Sequence, residues 1–340
     1  MRTAAVQTST RPPRRPATAR ALAVTAAGAV MAAFLAVPAH AASSPASSPA
    51  SSTSSSTEPA GQTGQTGPAC ATWTSRVVAS GLGTAENLVP DGQGGLLVST
   101  NDSTGKLLRL SPDGAVTPLA TDLPYAGGLA RDGQWVYVAT GASALSGLLG
   151  TADGTIVRLR VDGGDRTTVA TGLVAPNGLA RLPDGALVAT RTIDLGLGIS
   201  SAVTHVSPQG VVTPRWSALD GTNGIALDPS GEWLYVNRSL AGETWRVDVA
   251  NPAHAVRVAA HPLLAFPDDL TVAADGLITT RYLAGEVVRI DPATGMTCVL
   301  ARGLAQASSV RAGDGRGCRA DRLYVTSHAG NVYELAPPAG

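Results

Sequence analysis

Four oxygen-bearing side chains recur at one position of an internal repeat, and they are the residues of this sequence best suited to chemistry. They are Glu86, Asn177, Asn223 and Asp268. Each lies eight residues before a glycine of the following turn, and two further copies hold Gly127 and Ser308 at the same position. Carboxylate and carboxamide oxygens are hard donors, which suit Ca²⁺ or Mg²⁺ better than Zn²⁺. If the copies surround one axis, the sequence predicts a divalent-cation site on that axis.

The repeat that must position these residues has six copies, separated by 41, 50, 46, 45 and 40 residues. Such a period is typical of solenoids and propellers. Each copy has four short apolar runs bounded by Asp-Gly, Pro-Asp-Gly or Asn-Pro turns, which predicts antiparallel strands and an all-β fold. A fourth-strand signal at residues 74–85 precedes the first copy, and the chain ends at a third strand. The N-terminal strand therefore closes a ring, which predicts a six-bladed β-propeller; an open β-solenoid, the alternative, needs no such strand.

In a propeller the first strand of each blade lines the central channel, so the variable position of every copy faces the same mouth. Asn and Asp also cap turns between strands, which is the alternative interpretation of any one of these residues. Because four copies carry oxygen donors in one register among apolar neighbours, we favour the cation site.

The N-terminal 69 residues are predicted to lie outside the propeller. Residues 1–41 combine five arginines, an apolar run and an Ala-His-Ala site, which is typical of a cleaved secretory signal; a transmembrane anchor is the alternative. Residues 42–69 are rich in Ser, Pro, Thr and Gly and predict a disordered tether. Residues 70–340 then form the propeller of a secreted, extracellular protein with no membrane attachment after cleavage. Sec and twin-arginine export are both open.

Charge and cysteine content limit the kinds of binding partner and the number of disulfide bonds that can be expected. The formal charge is zero, with 25 basic and 25 acidic residues, which argues against a nucleic-acid partner. We expect a monomer that acts on a small molecule. Three cysteines on an exported chain allow one internal disulfide, and the pairings Cys298–Cys318 and Cys70–Cys318 compete for it.

The repeat resembles the regucalcin–gluconolactonase–luciferin-regenerating family of six-bladed propellers over about residues 71–340. The resemblance is carried by Glu86, Asn177 in PNGLARLPDG, Asn223 in TNGIALDPSGEWLYV and Asp268 in PDDLTVAADG. It implies one divalent cation, Ca²⁺ or another ion such as Mg²⁺ or Zn²⁺, held by these four residues. It also implies lactone hydrolysis with Asp268 as the general base. Asp269 stands where the family pattern has glycine.

The function expected from this resemblance is a secreted, divalent-cation-dependent hydrolase of the lactonase type. A cation held by these residues would polarise the lactone carbonyl, and Asp268 would take the proton of the attacking water. The neighbouring carboxylate of Asp269 would raise the pKa of Asp268. One alternative is a non-enzymatic, Ca²⁺-stabilised propeller that binds a ligand. Another is a lyase acting on a macrocyclic lactone.

Three arginines end the second strands of consecutive copies, at the face expected to carry the cation. They are Arg191, Arg238 and Arg281. Guanidinium groups in one register predict binding of a substrate carboxylate or hydroxyl groups. Alternatively, they lie between blades and pair with acids such as Asp194 or Glu243.

His328 and Asp269 complete the predicted substrate-binding set, with His328 as a candidate acid or base. Two long loops at the same face, residues 141–153 and 192–201, carry leucines among glycines and serines. These loops predict an apolar lid and hence a substrate with an apolar portion. The alternative is that the two loops pack on each other.

Overall fold

The structure is a computed structural model that describes residues 70–192 and 203–338. Within these residues the chain forms six four-stranded antiparallel sheets, which confirms the six-bladed β-propeller. The predicted secretory signal, the predicted tether and most of the loop at residues 192–201 lie outside the described residues. Among the described helices, none is long and apolar enough to cross a bilayer.

The strands follow one another in chain order, and the first belongs to the last blade. That first strand is β1 (Thr74–Ala79). Blade 1 contains β2 (Ala85–Pro90), β3 (Leu96–Thr100), β4 (Leu107–Leu110) and β5 (Val116–Ala120). Blade 2 contains β6 (Leu129–Asp132), β7 (Trp135–Thr140), β8 (Gly154–Arg160) and β9 (Thr167–Leu173), with the helix α1 (Ala144–Leu149) between β7 and β8.

The other four blades repeat this arrangement. Blade 3 contains β10 (Leu179–Arg181), β11 (Leu187–Ala189), β12 (Val203–Val206) and β13 (Val212–Ser217). Blade 4 contains β14 (Thr222–Leu227), β15 (Trp233–Arg238), β16 (Glu243–Asp248) and β17 (Ala255–Ala260). Blade 5 contains β18 (Pro267–Ala273), β19 (Gly276–Arg281), β20 (Glu286–Ile290) and β21 (Thr297–Ala301). Blade 6 contains β22 (Ala307–Ala312), β23 (Leu323–Ser327) and β24 (Asn331–Ala336).

The ring closes through β1, which pairs with β24 as the outer strand of blade 6. Arg76 of β1 donates two hydrogen bonds of 3.0 Å to the carboxylate of Glu334 on β24. The first and last strands of the domain therefore pair with each other in one sheet, which closes the ring of blades.

The hydrophobic core lies between the blades. Six clusters of buried apolar residues each combine side chains of two adjacent blades, one cluster for each blade–blade interface. Most inner strands are therefore buried on both faces, as in β3, where all five residues are buried. Packing between blades positions the inner strands around the channel.

The structure pairs Cys70 with Cys298, so both competing predictions for the disulfide are wrong. The backbone N–H of Trp73 donates to the carbonyl of Leu300 over 2.8 Å, which brings the segment before β1 alongside β21. Cys318 instead lies buried between blades 6 and 1, with its Sγ 3.4 Å from the carbonyl oxygen of Gly95. Burial raises the pKa of the Cys318 thiol to about 12. The connection to β21 was not visible in the sequence because it depends on how the closing strand enters the ring.

Candidate metal centre

The backbone turns in the same way before the repeated position in five of the six blades. Two residues ahead of that position, φ is positive, a conformation that residues with a Cβ adopt only when their surroundings require it. These residues are Tyr125 (52°), Ala175 (40°), Gly221 (58°), Phe266 (53°) and Gln306 (55°). In these five blades the turn leads the backbone from the outer strand of the preceding blade to the channel.

A β-bulge then occurs in the first strand of four blades. The register of pairing shifts between Ala85 and Leu88, and equivalent shifts occur in β14, β18 and β22. A bulge adds one residue to the strand and re-aims side chains, and it is frequent beside functional sites. Here the bulge contains the repeated position and the residue after it. Both Asp268 and Asp269 consequently contact side chains of other blades.

Each residue of the repeated position is held by its carbonyl oxygen. The donor comes from the adjacent blade in every case, which fixes the backbone of the ring without using the side chains at this position as acceptors. The donor–acceptor pairs are Thr326 Oγ1 to Glu86 (2.9 Å), Ser99 Oγ to Gly127 (2.7 Å), Gly128 N to Asn177 (2.5 Å), Thr190 Oγ1 to Asn223, Asn237 Nδ2 to Asp268 (2.9 Å) and Thr280 Oγ1 to Ser308 (2.8 Å).

We call the six residues at the repeated position the outer ring. Its predicted ligands are Glu86, Asn177, Asn223 and Asp268. Glu86 and Asp268 are 5% exposed and Asn223 is 4% exposed. Asn223 Nδ2 donates to Asp268 Oδ1 over 2.5 Å, and no other described residue donates to the Asp268 carboxylate. Burial raises the pKa of Asp268 well above its usual value, and the negative charges of Glu86 and Asp269 raise it further. The outer ring therefore brings the carboxylate of Asp268 close to that of Glu86 in a site that disfavours the charge of Asp268.

The donors of the outer ring fit a hard divalent cation. Two buried carboxylates that repel each other gain from a cation that both can bind, and the carboxamide oxygens are additional hard ligands. The side chain of Asn177 is partly exposed and makes no hydrogen bond within the described residues, so its oxygen is available. Ser308 Oγ donates to the carbonyls of Ala85 and Glu86, both over 2.8 Å, and so serves the backbone. In the described part of the chain no group of three or more His, Cys, Asp or Glu has metal-binding geometry, so the carboxamides are needed for this site.

His328 lies at the outer ring. Its Nε2 contacts Oε2 of Glu86, and its Nδ1 lies 3.1 Å from the hydroxyl of Tyr282. Burial, together with the charges of Asp268 and Glu86, raises the pKa of Tyr282 to about 12, so the phenol keeps its proton. We therefore assign Tyr282 as the donor to Nδ1, which leaves the Nε2 proton of His328 for Glu86.

Tyr282 was missed by the sequence analysis. The signal was present in the alignment of the copies, because Tyr282 follows the last residue of β19 as His328 follows the last residue of β23. The ring centroids of the two residues are 5.1 Å apart in an edge-to-face arrangement. Register alone would therefore have placed Tyr282 beside His328.

The guanidinium groups of the three predicted arginines are engaged with protein groups. Arg238 pairs with Asp220 and with Glu243, the latter over 2.7 Å, and Arg191 Nη2 donates to a carbonyl of α1. Arg281 pairs with Glu286 over 3.2 Å and is 4% exposed. Glu243 is the partner that the alternative interpretation named for Arg238, but the ion pairs of Arg238 and Arg281 lie within one blade and not between blades. Asp194 lies outside the described residues.

A chain of hydrogen bonds connects Arg281 to the outer ring from behind. Arg281 Nε donates to His261 Nδ1 over 3.2 Å, which leaves the proton of the imidazole on Nε2. That Nε2 lies 2.9 Å from Thr244 Oγ1, which donates over 2.7 Å to Asn237 Oδ1. Asn237 in turn donates to the carbonyl of Asp268. Burial and the charge of Arg281 lower the pKa of His261 to about 3, so this histidine is neutral.

A second ring lies next to the outer ring and consists of the residue that follows the repeated position in each blade. Its members are Asn87, Gly128, Gly178, Gly224, Asp269 and Ser309. Asp269 is 4% exposed, and its Oδ2 accepts from Asn87 Nδ2 (2.8 Å), from Ser309 Oγ and from Arg311 Nη1 (2.6 Å). These three protein donors all reach Oδ2, whereas Oδ1 of Asp269 is buried without a hydrogen-bond partner among the described residues. The predicted substrate-binding role of Asp269 stays a prediction.

Glycine is required where the second ring carries no polar side chain. A Cβ on Gly224 would lie 2.3 Å from the Cα of Asp269, and a Cβ on Gly178 would lie 2.5 Å from the carbonyl oxygen of Asn223. Neighbouring first strands approach too closely there for any side chain. The sequence therefore confines side chains of the second ring to blades 5, 6 and 1.

Fold and site together define a six-bladed propeller with a ring of carboxylate and carboxamide groups at one mouth of its channel. The chain belongs to the SMP-30/gluconolactonase/LRE-like family, whose model matches residues 140–329. This confirms the resemblance seen in the sequence. The matched segment includes Asn177, Asn223 and Asp268, whereas Glu86 precedes it.

Solved structures agree with the fold. A gluconolactonase from Xanthomonas campestris is 20% identical, covers 78% of this chain and 90% of its own, and has a TM-score of 0.61. A putative gluconolactonase is 18% identical, covers 79% of this chain and 93% of its own, and has a TM-score of 0.62. Virginiamycin B lyase from Staphylococcus aureus is 13% identical, covers 78% of this chain and 99% of its own, and has a TM-score of 0.54. No curated protein matches the chain.

Proposed function

We propose that this protein is a divalent-cation-dependent hydrolase of lactones. The observation that carries the proposal is the pair of buried carboxylates, Glu86 and Asp268, at the mouth of the channel. Asp268 has one hydrogen-bond donor and no cationic partner among the described residues, although buried carboxylates require such partners. Membership of the gluconolactonase-like family supports the choice of a lactone as substrate.

The proposed cation ligands are Glu86, Asn177, Asn223 and Asp268, with Ca²⁺ as the expected ion and Mg²⁺ or Zn²⁺ as the alternatives. When bound, a divalent cation supplies Lewis-acid polarisation of a carbonyl. Asp268 is the proposed general base, because its carboxylate is held by one amide donor at the rim. Water adds to the carbonyl carbon, the ring C–O bond breaks, and the proton taken by Asp268 passes to the released alkoxide, giving a hydroxy acid.

His328 and Tyr282 are proposed to position Glu86. A ligand held by a second residue keeps its orientation, and loss of such a partner typically lowers metal affinity or activity about 10- to 100-fold. Tyr282 fixes the imidazole through Nδ1, and the imidazole contacts Glu86 through Nε2. These two residues therefore hold the ligand that lies outside the segment matched by the family model.

The test is a panel of lactones assayed after chelation and after addition of Ca²⁺, Mg²⁺ or Zn²⁺. We expect hydrolysis that depends on the added cation and is lost in Asp268→Ala. Calorimetric titration with Ca²⁺ and the thermal unfolding temperature give a second readout. If Ca²⁺ raises the unfolding temperature but no lactone is hydrolysed, the protein is a ligand-binding propeller. If a macrocyclic lactone opens without incorporating heavy oxygen from labelled water, the reaction is a lyase reaction.

We also propose that the protein works outside the cytoplasm. The basic and apolar composition of residues 1–41 supports export, and the Cys70–Cys298 disulfide is typical of oxidising compartments. N-terminal sequencing of the protein recovered from the producing cells should find Ala42 as the first residue. Retention of Met1 on the mature protein would contradict export by cleavage.

A further inference from the structure

Exposed large aliphatic side chains are concentrated at the face that carries the outer ring. In the described residues, the loops at this face expose six leucines by more than half of their surface. These are Leu145, Leu149, Leu240, Leu263, Leu264 and Leu283. The other exposed aliphatic residues are valines on outer strands or at the opposite face, such as Val211. Exposed apolar patches of this kind mark binding surfaces more often than scattered single residues do.

Four of these leucines lie on neighbouring loops of blades 4 and 5, and we call them the blade 4–5 rim. They are Leu240, Leu263, Leu264 and Leu283. Two hydrogen bonds join the three loops: Ser239 Oγ donates to Pro267 O over 2.6 Å, and Tyr282 N donates to Phe266 O over 3.0 Å. Leu263 is 93% exposed, and Leu264 is held at a φ of 62°. The rim is therefore one connected surface that presents leucine to solvent.

The rim continues directly to the outer ring. The rings of Phe266 and Tyr282 are 6.0 Å apart, and Tyr282 contacts His328, which contacts Glu86. The three loops read SLAG, PLLAFP and YLAG and contain no Asp, Glu, Lys or Arg, whereas the corresponding loop of blade 1 reads NDSTGK. A molecule bound at the outer ring would thus meet apolar surface on the side of blade 5 and polar surface on the side of blade 1.

We propose that the blade 4–5 rim binds an alkyl or acyl chain of the substrate, so that the lactone taken at the outer ring carries an apolar substituent. This proposal rests on the proposed function, because it assigns one substrate to both surfaces. The continuity through Tyr282 favours a substrate chain over a lipid membrane or a protein partner. Such partners would need the leucines but would not need them connected to Glu86 and His328.

The first experiment measures kcat/KM for γ-lactones whose alkyl substituent lengthens from methyl to octyl, with Ca²⁺ present. Burial of one methylene group favours binding by a factor of roughly two to four. We expect kcat/KM to rise by about that factor per methylene, and we expect Leu263→Ser/Leu283→Ser to flatten the rise. Val211→Ser is the matched control, because Val211 is 63% exposed at the opposite face. This control should keep the dependence on chain length.

The second experiment separates this proposal from hydrolysis. Alkyl γ-lactams, which resist hydrolysis, are titrated calorimetrically into the Ca²⁺-loaded protein and its variants. If no lactone is hydrolysed but lactam affinity rises with chain length and the leucine double variant abolishes that rise, the rim proposal stands and the hydrolase proposal fails. If lactones are hydrolysed with no dependence on chain length, the rim proposal is overturned and the hydrolase proposal stands. The rim proposal is also overturned if the lactams do not bind, or if the leucine variant changes only self-association or binding to phosphatidylcholine vesicles.

Discussion

The two rings of the channel hold their aspartates in different ways. In the outer ring the protein holds the backbone: Asn237 and Thr326 donate to the carbonyls of Asp268 and Glu86. In the second ring it holds the side chain as well, since the carbonyl of Asp269 accepts from Thr279 and its Oδ2 accepts from three donors that include Arg311. The Asp268 carboxylate accepts from a single neutral amide, whereas Oδ2 of Asp269 accepts from three donors and faces a guanidinium group, although Oδ1 of Asp269 has no partner among the described residues. On this comparison we propose that Asp268 binds the cation and that Oδ2 of Asp269 serves the structure.

The two rings should differ most when each aspartate is neutralised in turn. Asp268→Asn should lower Ca²⁺ affinity by about 100-fold or more, because it removes a proposed ligand and not merely a positioning group. Asp269→Asn should leave Ca²⁺ affinity within about threefold, since its carboxylate faces Arg311 and Ser309. Calorimetric titration measures both, with Asp275→Asn at the opposite face as the control. Equal losses in Asp268→Asn and Asp269→Asn would show that the rings are one site.

A second test removes the cationic partner of the second ring. Arg311→Met leaves the buried Asp269 carboxylate without its cation, and loss of one partner of a buried pair typically destabilises a protein by about 3–5 kcal/mol. The matched control is Arg289→Met, whose pair with Asp275 is exposed, with a typical effect below about 1 kcal/mol.

Urea denaturation of the metal-free proteins gives both free energies of unfolding. Adding Asp269→Asn to Arg311→Met should restore part of the loss, because the uncompensated charge is then absent. If Arg311→Met and Arg289→Met lower the free energy of unfolding equally, the second ring does not depend on its ion pair.

The third test concerns the glycine side of the second ring. Gly178→Ala would place a Cβ 2.5 Å from the carbonyl oxygen of Asn223 and 2.7 Å from Thr190 Oγ1. Overpacking of this kind typically costs about 1–3 kcal/mol and here would also displace Asn223. Gly164→Ala is the control, because its new Cβ would meet only side-chain atoms, at 3.3 Å and beyond. Thermal unfolding with and without Ca²⁺ should show a smaller stabilisation by the ion in Gly178→Ala. The same stabilisation in both variants would separate ring packing from cation binding.

The sequence predicted the fold and the outer ring because both depend on a repeated register. Turn residues and alternating apolar runs recur in every copy, so Glu86 and Asp268 could be aligned without any contact being known. The sequence could not reveal contacts that arise once per molecule. The Arg311–Asp269 pair and the Cys70–Cys298 bridge each join segments with no shared pattern. Arg281 shows the same limit, since register placed it at the mouth but Glu286 and His261 take its donors.

The smallest expected effect concerns the support behind the outer ring, and it appears as a dependence on pH. The pKa of His261 is lowered to about 3 in the folded protein, whereas an unfolded histidine has a pKa near 6.5. Between these values the unfolded chain binds a proton that the folded protein does not, so the free energy of unfolding falls as pH decreases from about 6.5 toward 3. The imidazole ring of His261 is partly reached by solvent, so we expect a loss on the order of 1 kcal/mol between pH 6.5 and 4.5.

His261→Gln keeps an amide donor for Thr244 and does not titrate, so urea denaturation at these two pH values should show a smaller loss in this variant. The exposed His254 is the control, because His254→Gln removes a histidine without touching the chain from Arg281 to Asp268. If His261→Gln keeps the full pH dependence, that dependence does not come from a neutral His261. The hydrogen-bond chain from Arg281 to the backbone of Asp268 would then contribute nothing measurable to the stability of the outer ring.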